Sequence, residues 1–312
     1  MSLKDPRKAF GEALLKLGKE NKDILAVSCD SASGGGMGDF FKAFPERTVE
    51  VGISEQNAIG ICAALARQGF IPVITVITPF LTMRAYEQVR DDVGYMNTNV
   101  KLVGSGGGLA YSTLGSTHQA VEDIALMQTI PNMTIFSPCD AHDVKEALKM
   151  AVEIEGPVYI RMPRQRRKVI AQERCLAFGK AEVLKEGGDI AIFATGPMVE
   201  ESQVAAEILK TQGIDAAVLG FMTIKPLDED VIKEYSGIVE TIVTVEEHSV
   251  VGGFGSAVAQ HLAPVKNSPA VHIFGIPMGA KETGQYRELV DYYGLSGERI
   301  AENILCIKEV QQ

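Results

Sequence analysis

The stretch VEVGISEQNAIGICAALARQG, Val49–Gly69, holds both the rhythm of the fold and a misfit. A β-branched run, Thr48–Val51, leads through Gly52 to a segment that turns almost wholly apolar from Ala58 to Ala66. Gly69 then opens a second β-branched run, Ile71–Ile77. This reads as strand, helix, strand, with the helix apolar on nearly all sides and therefore expected in a core. Glu55 stands at the head of that helix, and cores rarely accept an unpaired carboxylate. If Ser54 caps the helix, Glu55 lies in the first turn, where the helix dipole favours negative charge. An ordinary first-turn acid is the plain explanation. The sharper one is a carboxylate aimed into the crevice at the carboxyl edge of a sheet, where open α/β folds bind ligands.

Outward from this stretch the alternation repeats. Ile24–Cys29, Val100–Gly104, Met133–Ser137 and Pro157–Arg161 read as further strands. Helical segments are expected at Phe10–Glu20, Phe80–Tyr95, Ala120–Gln128 and Ala141–Glu153. Unbroken hydrophobic strands between helices indicate a parallel sheet covered on both faces. The basic cluster PRQRRKVIAQERC breaks the pattern, and Arg166, Arg167 and Lys168 read as a solvated face. A smaller alternation follows, with strands at Ile190–Thr195, Ala216–Phe221, Thr241–Glu246 and Val271–Gly275. The expected organisation is an α/β chain of two units, 1–168 and 181–312, joined by a linker at 169–180.

The 312 residues, 46% hydrophobic and 22% charged, are ample for two domains. A formal net charge of -10 argues against nucleic acid and anionic membranes as partners. The apolar runs are too short or interrupted to span a bilayer. Five cysteines without a CxxC pair fit reduced thiols in a cytoplasmic protein; Cys62 and Cys306 read as small core residues. The start, MSLKDPRKAF, lacks the apolar region of a signal peptide. In an acidic chain any anionic substrate must be met by individual cations. Arg84, Arg161 and Arg164 all fall near expected carboxyl ends of strands, where guanidinium suits a sugar phosphate.

The loop GSGGGLAYSTLGSTHQ, Gly104–Gln119, follows a strand but does not open a helix as a dinucleotide fingerprint should. His118 ends it, either as a structural hydrogen-bonder or as a contact to a substrate oxygen. Phe80 and Tyr86 are helix-packing residues or rings that stack on a heterocycle. The pairs Asp91–Asp92 and Glu246–Glu247 have no second ligand cluster and read as solvated faces; no HExxH, EF-hand or P-loop motif occurs.

Taken together, the chain resembles the carboxyl-terminal half of transketolase, a pyrimidine-binding domain followed by the transketolase C-terminal domain. The likeness is carried by VEVGISEQNAIGICAALARQGFIPV, STHQAVEDIALMQTIPNMTIFSPCDAHDVKEAL and GPVYIRMPR, then by IKPLDED, TVEEHSVVGGFGSAVA and YGLSGERIAENI. It implies a thiamine diphosphate enzyme that passes a two-carbon ketol unit from a ketose to an aldose. In that family a glutamate hydrogen-bonds the cofactor's aminopyrimidine and favours the imino tautomer that takes the thiazolium proton; by position it is Glu55. The resemblance further implies that Phe80, with Tyr86, stacks on the aminopyrimidine, and that Asp30 and Ile53 lie at the cofactor. It implies His118 as the histidine of THQ, touching substrate, and Arg84 with Arg161 or Arg164 at the phosphate.

Two positions depart from the family. Leu114, four residues before His118, replaces an aspartate that reads donor hydroxyls, and Gly106, twelve before, replaces a histidine. A leucine cannot accept a hydroxyl hydrogen bond, which points to an unusual ketose. The family's magnesium motif, GDG followed by asparagine, is absent, so Mg2+ and the diphosphate are expected on a transketolase N-terminal subunit. A two-plus-two heterotetramer is the expected assembly, inactive without that partner. The other readings are a 1-deoxyxylulose-5-phosphate synthase-like or pyruvate dehydrogenase-type subunit, and a non-catalytic α/β binding subunit.

Overall fold

The computed structural model describes residues 3–170, 174 and 176–311, so Cys175 and part of the expected linker lie outside the described residues. The first half runs α1 (Pro6–Glu20), β1 (Ile24–Ser28), α2 (Gly38–Ala43), β2 (Thr48–Glu50), α3 (Glu55–Arg67) and β3 (Ile71–Ile77). A π-helical turn (Phe80–Arg84), the short α4 (Tyr86–Gln88) and a second π-helical stretch (Val89–Tyr95) lead to β4 (Lys101–Ser105). Then come α5 (Asp123–Gln128), β5 (Thr134–Phe136), α6 (Ala141–Glu153) and β6 (Val158–Met162). The second half carries β7 (Glu182–Lys185), β8 (Ile190–Ala194), α7 (Met198–Thr211), β9 (Ala216–Gly220) and β10 (Thr223–Lys225). It ends with α8 (Glu229–Ser236), β11 (Thr241–Ser249), α9 (Phe254–Leu262), β12 (Ala270–Ile276), α10 (Tyr286–Tyr292) and α11 (Gly297–Gln311).

These strands form two sheets, ordered β10-β5-β6-β4-β3-β1-β2 and β12-β11-β8-β9-β7. Within each, all pairs are parallel except one edge strand, β10 against β5 and β7 against β9. The expected α/β architecture with parallel sheets is therefore present. The two antiparallel edges were not foreseen, because each strand has only three or four residues and little periodicity. The halves are also less separate than a linker implies. β10 comes from the second half yet completes the first sheet. The largest apolar cluster runs from Val27 and Ile74 in the first sheet to Phe193 and Phe221 in the second.

Helix α3 shows why its sequence looked all-apolar. Ala58, Ile59, Cys62 and Ala63 pack inward, while Ala64 is exposed and Ile61 and Leu65 are only partly covered. Ser54 sits at the N-cap position without capping by its side chain; its hydroxyl donates to Val51 O at 3.0 Å. Cys306, expected in a core, is exposed on α11.

Candidate active site

The carboxyl ends of β1, β2, β3, β4 and β6 point the same way, and the residues of interest follow them in turn. Glu55 opens α3 after β2. Its side chain is 6% exposed, yet it is not unpaired: Arg84 Nη1 lies 3.0 Å from each carboxylate oxygen. Arg84 comes from the π-helical turn after β3. Phe80 and Arg84 are four residues apart on that turn, a helical spacing that brings side chains to one side. The Arg84 guanidinium thus lies over the ring of Phe80, with Cζ 4.0 Å from the centroid. Phe80 meets the His118 ring edge-on at 5.2 Å between centroids. The Cys29 thiol, at the end of β1, is pushed up to about 11 by burial and then by the nearby Glu55 carboxylate.

Beyond His118 the arrangement continues through a residue that the sequence reading missed. Tyr111 has its ring 5.8 Å from that of His118 and accepts at its hydroxyl from Arg164 Nη1 at 2.9 Å. Arg164 also lies over the Tyr111 ring, Cζ 4.5 Å from its centroid. The available signal was slight: Tyr111 is the one aromatic residue inside the Gly104–Gln119 loop. Gly106, where the resemblance puts a histidine, lies under that ring. A Cβ there would come within 2.5 Å of Tyr111 Cε2, and its φ of 79° disfavours other residues. Leu114 is 53% exposed on the same loop.

The structure does not bring the remaining candidates into this cluster. Arg161 is 4% exposed, and its guanidinium is consumed elsewhere. Nε donates to Asp123 Oδ2 at 2.8 Å, and Nη2 to Ala120 O and Glu247 O. Tyr86 turns towards α5, sharing a 2.7 Å hydrogen bond with the Thr129 hydroxyl. Asp30 stands exposed at the end of β1 in a left-handed conformation, φ 54°, with its amide donating to Glu50 Oε1. Ile53 is 75% exposed two residues before Glu55.

The second half holds the site's loop in place. Glu247 accepts from the Leu109 amide at 2.6 Å and from the Tyr286 hydroxyl at 2.7 Å, and Gln119 donates to Glu282 O. Arg167 donates in turn to the Tyr286 hydroxyl and to Glu200. Glu246, Glu247 and Arg167 are thus buried rather than solvated, at 0%, 1% and 8% exposure. Glu247 and Arg167 bond across the seam between the halves, while Glu246 accepts from the Phe254 and Gly255 amides at the start of α9, so each charge has partners.

Among the described residues, one group of acid and thiol side chains is close enough to chelate a metal: Cys139, Asp140 and Asp143. Arg174 already fills it, paired with Asp143 and with Asp140. Phe80 and Glu55, in contrast, together hold one planar cationic N–H donor, the Arg84 guanidinium, and the same aromatic face and carboxylate suit the N–H groups of an aminopyrimidine.

Two family models match the chain: transketolase, pyrimidine binding domain, over residues 4–168, and transketolase, C-terminal domain, over residues 179–300. A putative transketolase C-terminal section from Methanocaldococcus jannaschii is 39% identical, over 97% of this chain and 96% of its own length. One of the subunits of an apulose-4-phosphate transketolase from Phocaeicola vulgatus is 38% identical, over 96% of each chain. A solved split gene transketolase, an inactive beta4 tetramer, superposes with a TM-score of 0.86 at 37% identity, covering 96% of this chain and 97% of that one. The chain belongs to the transketolase family.

Proposed function

We propose that this chain is the carboxyl-terminal subunit of a thiamine diphosphate-dependent transketolase. It would transfer a two-carbon ketol unit from a ketose phosphate to an aldose phosphate, and be active only with an amino-terminal partner. The observation that carries the reading is the Glu55 carboxylate, buried at the carboxyl edge of a parallel sheet and linked through the Arg84 guanidinium to the face of the Phe80 ring. Thiamine diphosphate, when bound, supplies a carbon nucleophile able to cleave the bond beside a ketose carbonyl.

This chain's own residues have narrower tasks. Glu55, fixed on the first turn of α3, would hold a proton at a pyrimidine ring nitrogen of the bound cofactor. Phe80 gives that ring a face and excludes water from it. His118, in edge contact with Phe80, lies within the same cleft for a substrate oxygen. Arg164, braced by Tyr111, offers guanidinium N–H groups to the anionic end of the sugar. Leu114 and Gly106 in place of polar residues favour a ketose other than the common pentose phosphates. Asp30 and Ile53 belong to the rim, where the partner would close the site.

Mg2+ and the diphosphate are assigned to that partner, because the GDG-to-asparagine motif that the family uses for them does not occur in this sequence. The similarity to a single subunit of the apulose-4-phosphate enzyme and to a split gene transketolase supports a two-chain enzyme, with a two-plus-two heterotetramer as its form. None of the described helices is long and apolar enough to cross a membrane, and a cytoplasmic location agrees with the free thiols.

The test is to tag this chain, purify the complex from its native cells, and assay ketol transfer with Glu55→Gln beside the wild type. Glutamine keeps the size but cannot hold the charge. Turnover should drop at least about 100-fold. Equal turnover would assign Glu55 a structural role and the chain a binding one.

A further inference from the structure

Glu55 and Phe80 are committed, on the reading above, to the cofactor's aminopyrimidine, yet both are engaged by one side chain of this same protein. Arg84 Nη1 donates to the two Glu55 oxygens at 3.0 Å each, and its guanidinium lies over Phe80 with Cζ 4.0 Å from the ring centroid. The two members differ in freedom. The Glu55 side chain is 6% exposed on a helix start, whereas that of Arg84 is 45% exposed on a flexible stem. An exposed ion pair alone contributes little. Here the acceptor is buried, both oxygens are used, and the cation is stacked as well, which makes the contact a defined one. A guanidinium and an aminopyrimidine are both flat, and both present N–H groups in the plane. One ring face and one carboxylate can serve only one of them at a time.

We propose that Arg84 is a positioning residue that keeps the Glu55 carboxylate aimed into the cleft by taking the aminopyrimidine's place, and that it is exchanged for the aminopyrimidine on cofactor uptake. This rests on the cofactor reading of the site. The paired form then competes with the cofactor, so the apparent dissociation constant is the intrinsic one divided by the unpaired fraction. Exchange leaves the guanidinium free at the cleft, a cation available to the anionic end of the substrate.

The experiment uses the complex purified through a tag on this chain, stripped of cofactor with a chelator and resupplied with Mg2+. Thiamine diphosphate binding is measured by stopped-flow and equilibrium titration for the wild type, Arg84→Ala and Arg84→Lys. Arg84→Ala should associate faster and bind roughly tenfold tighter, with an unchanged dissociation rate. Arg84→Lys, which keeps the charge but not the flat face, should fall between. An association rate unchanged in Arg84→Ala, or a faster dissociation, would overturn the proposal, since Arg84 would then be idle or would grip the bound cofactor. A wild-type complex that fails to bind thiamine diphosphate would remove the cofactor reading itself, and this proposal with it.

Discussion

Arg161 and Arg164 are three residues apart, and the sequence offers no ground for choosing between them. Register decides. Arg161 lies inside β6, where its side chain meets Asp123, itself fully buried; breaking such a pair costs about 3–5 kcal/mol. Arg164 lies past the end of the strand, where Tyr111 holds it at the cleft. A phosphate recognised by Arg164 predicts a specific kinetic signature. Arg164→Met should raise KM for a phosphorylated ketose about 10- to 100-fold, and leave the weak turnover of the unphosphorylated sugar unchanged. Steady-state kinetics with the pair of sugars would show it, and an equal loss on both would remove Arg164 from phosphate binding. Glu55 was easier to see, because a carboxylate heading an apolar helix is anomalous in any fold. Its partner was not, since Arg84 is twenty-nine residues away and meets it only across two strand ends.

At the scale of elements, the segment between β3 and β4 and the loop after β4 depart most from sequence expectation. Phe80–Tyr95 was expected as one helix, but it is two π-helical stretches around a short α-helical one. Hydrophobic period cannot distinguish these over so few residues. Likewise α5 begins at Asp123 rather than Ala120, because Ala120 bridges back to Gly108 and closes the glycine-rich loop. Within that loop Gly106 and Tyr111 act as a pair. Gly106→Ala should destabilise the protein by about 2 kcal/mol, through its positive φ and the collision with the ring. Tyr111→Ala should relieve the collision but not the backbone strain, so the double variant should lose about 1 kcal/mol less than the sum. Denaturant unfolding of the four proteins measures this, and strict additivity would mean that the ring does not rest on Gly106.

Across the whole molecule, the buried titratable groups on β11 have acid–base behaviour that can be tested. Burial holds His248 down to about 4, below its usual 6.5; its Nε2 accepts from the Ala125 amide. The unfolded chain takes up that proton first, so this group's stabilisation is complete above pH 6.5 and is lost as pH falls towards 4, by up to about 3 kcal/mol. Glu246 has the opposite sign. Burial pushes it up to about 7 from 4.5, so stability is lost as pH rises from 4.5 through 7. Between 4.5 and 6.5 the two slopes oppose each other. His248→Gln keeps an acceptor for Ala125 but removes the first slope, so its Tm should fall with rising pH across that range while the wild type stays flatter. Calorimetry at several pH values tests this; parallel curves would show that His248 carries no such linkage. The sequence by itself determined the alternation of strands and helices, the parallel sheets and the anomaly of Glu55, because those follow from local periodicity and from the cost of burying charge. Only the tertiary structure decided that Glu246, Glu247 and Arg167 are buried, that Arg161 braces the seam, and that Arg84 links Glu55 to Phe80. Each of these depends on which strand ends lie side by side, and spacing along the chain does not record that.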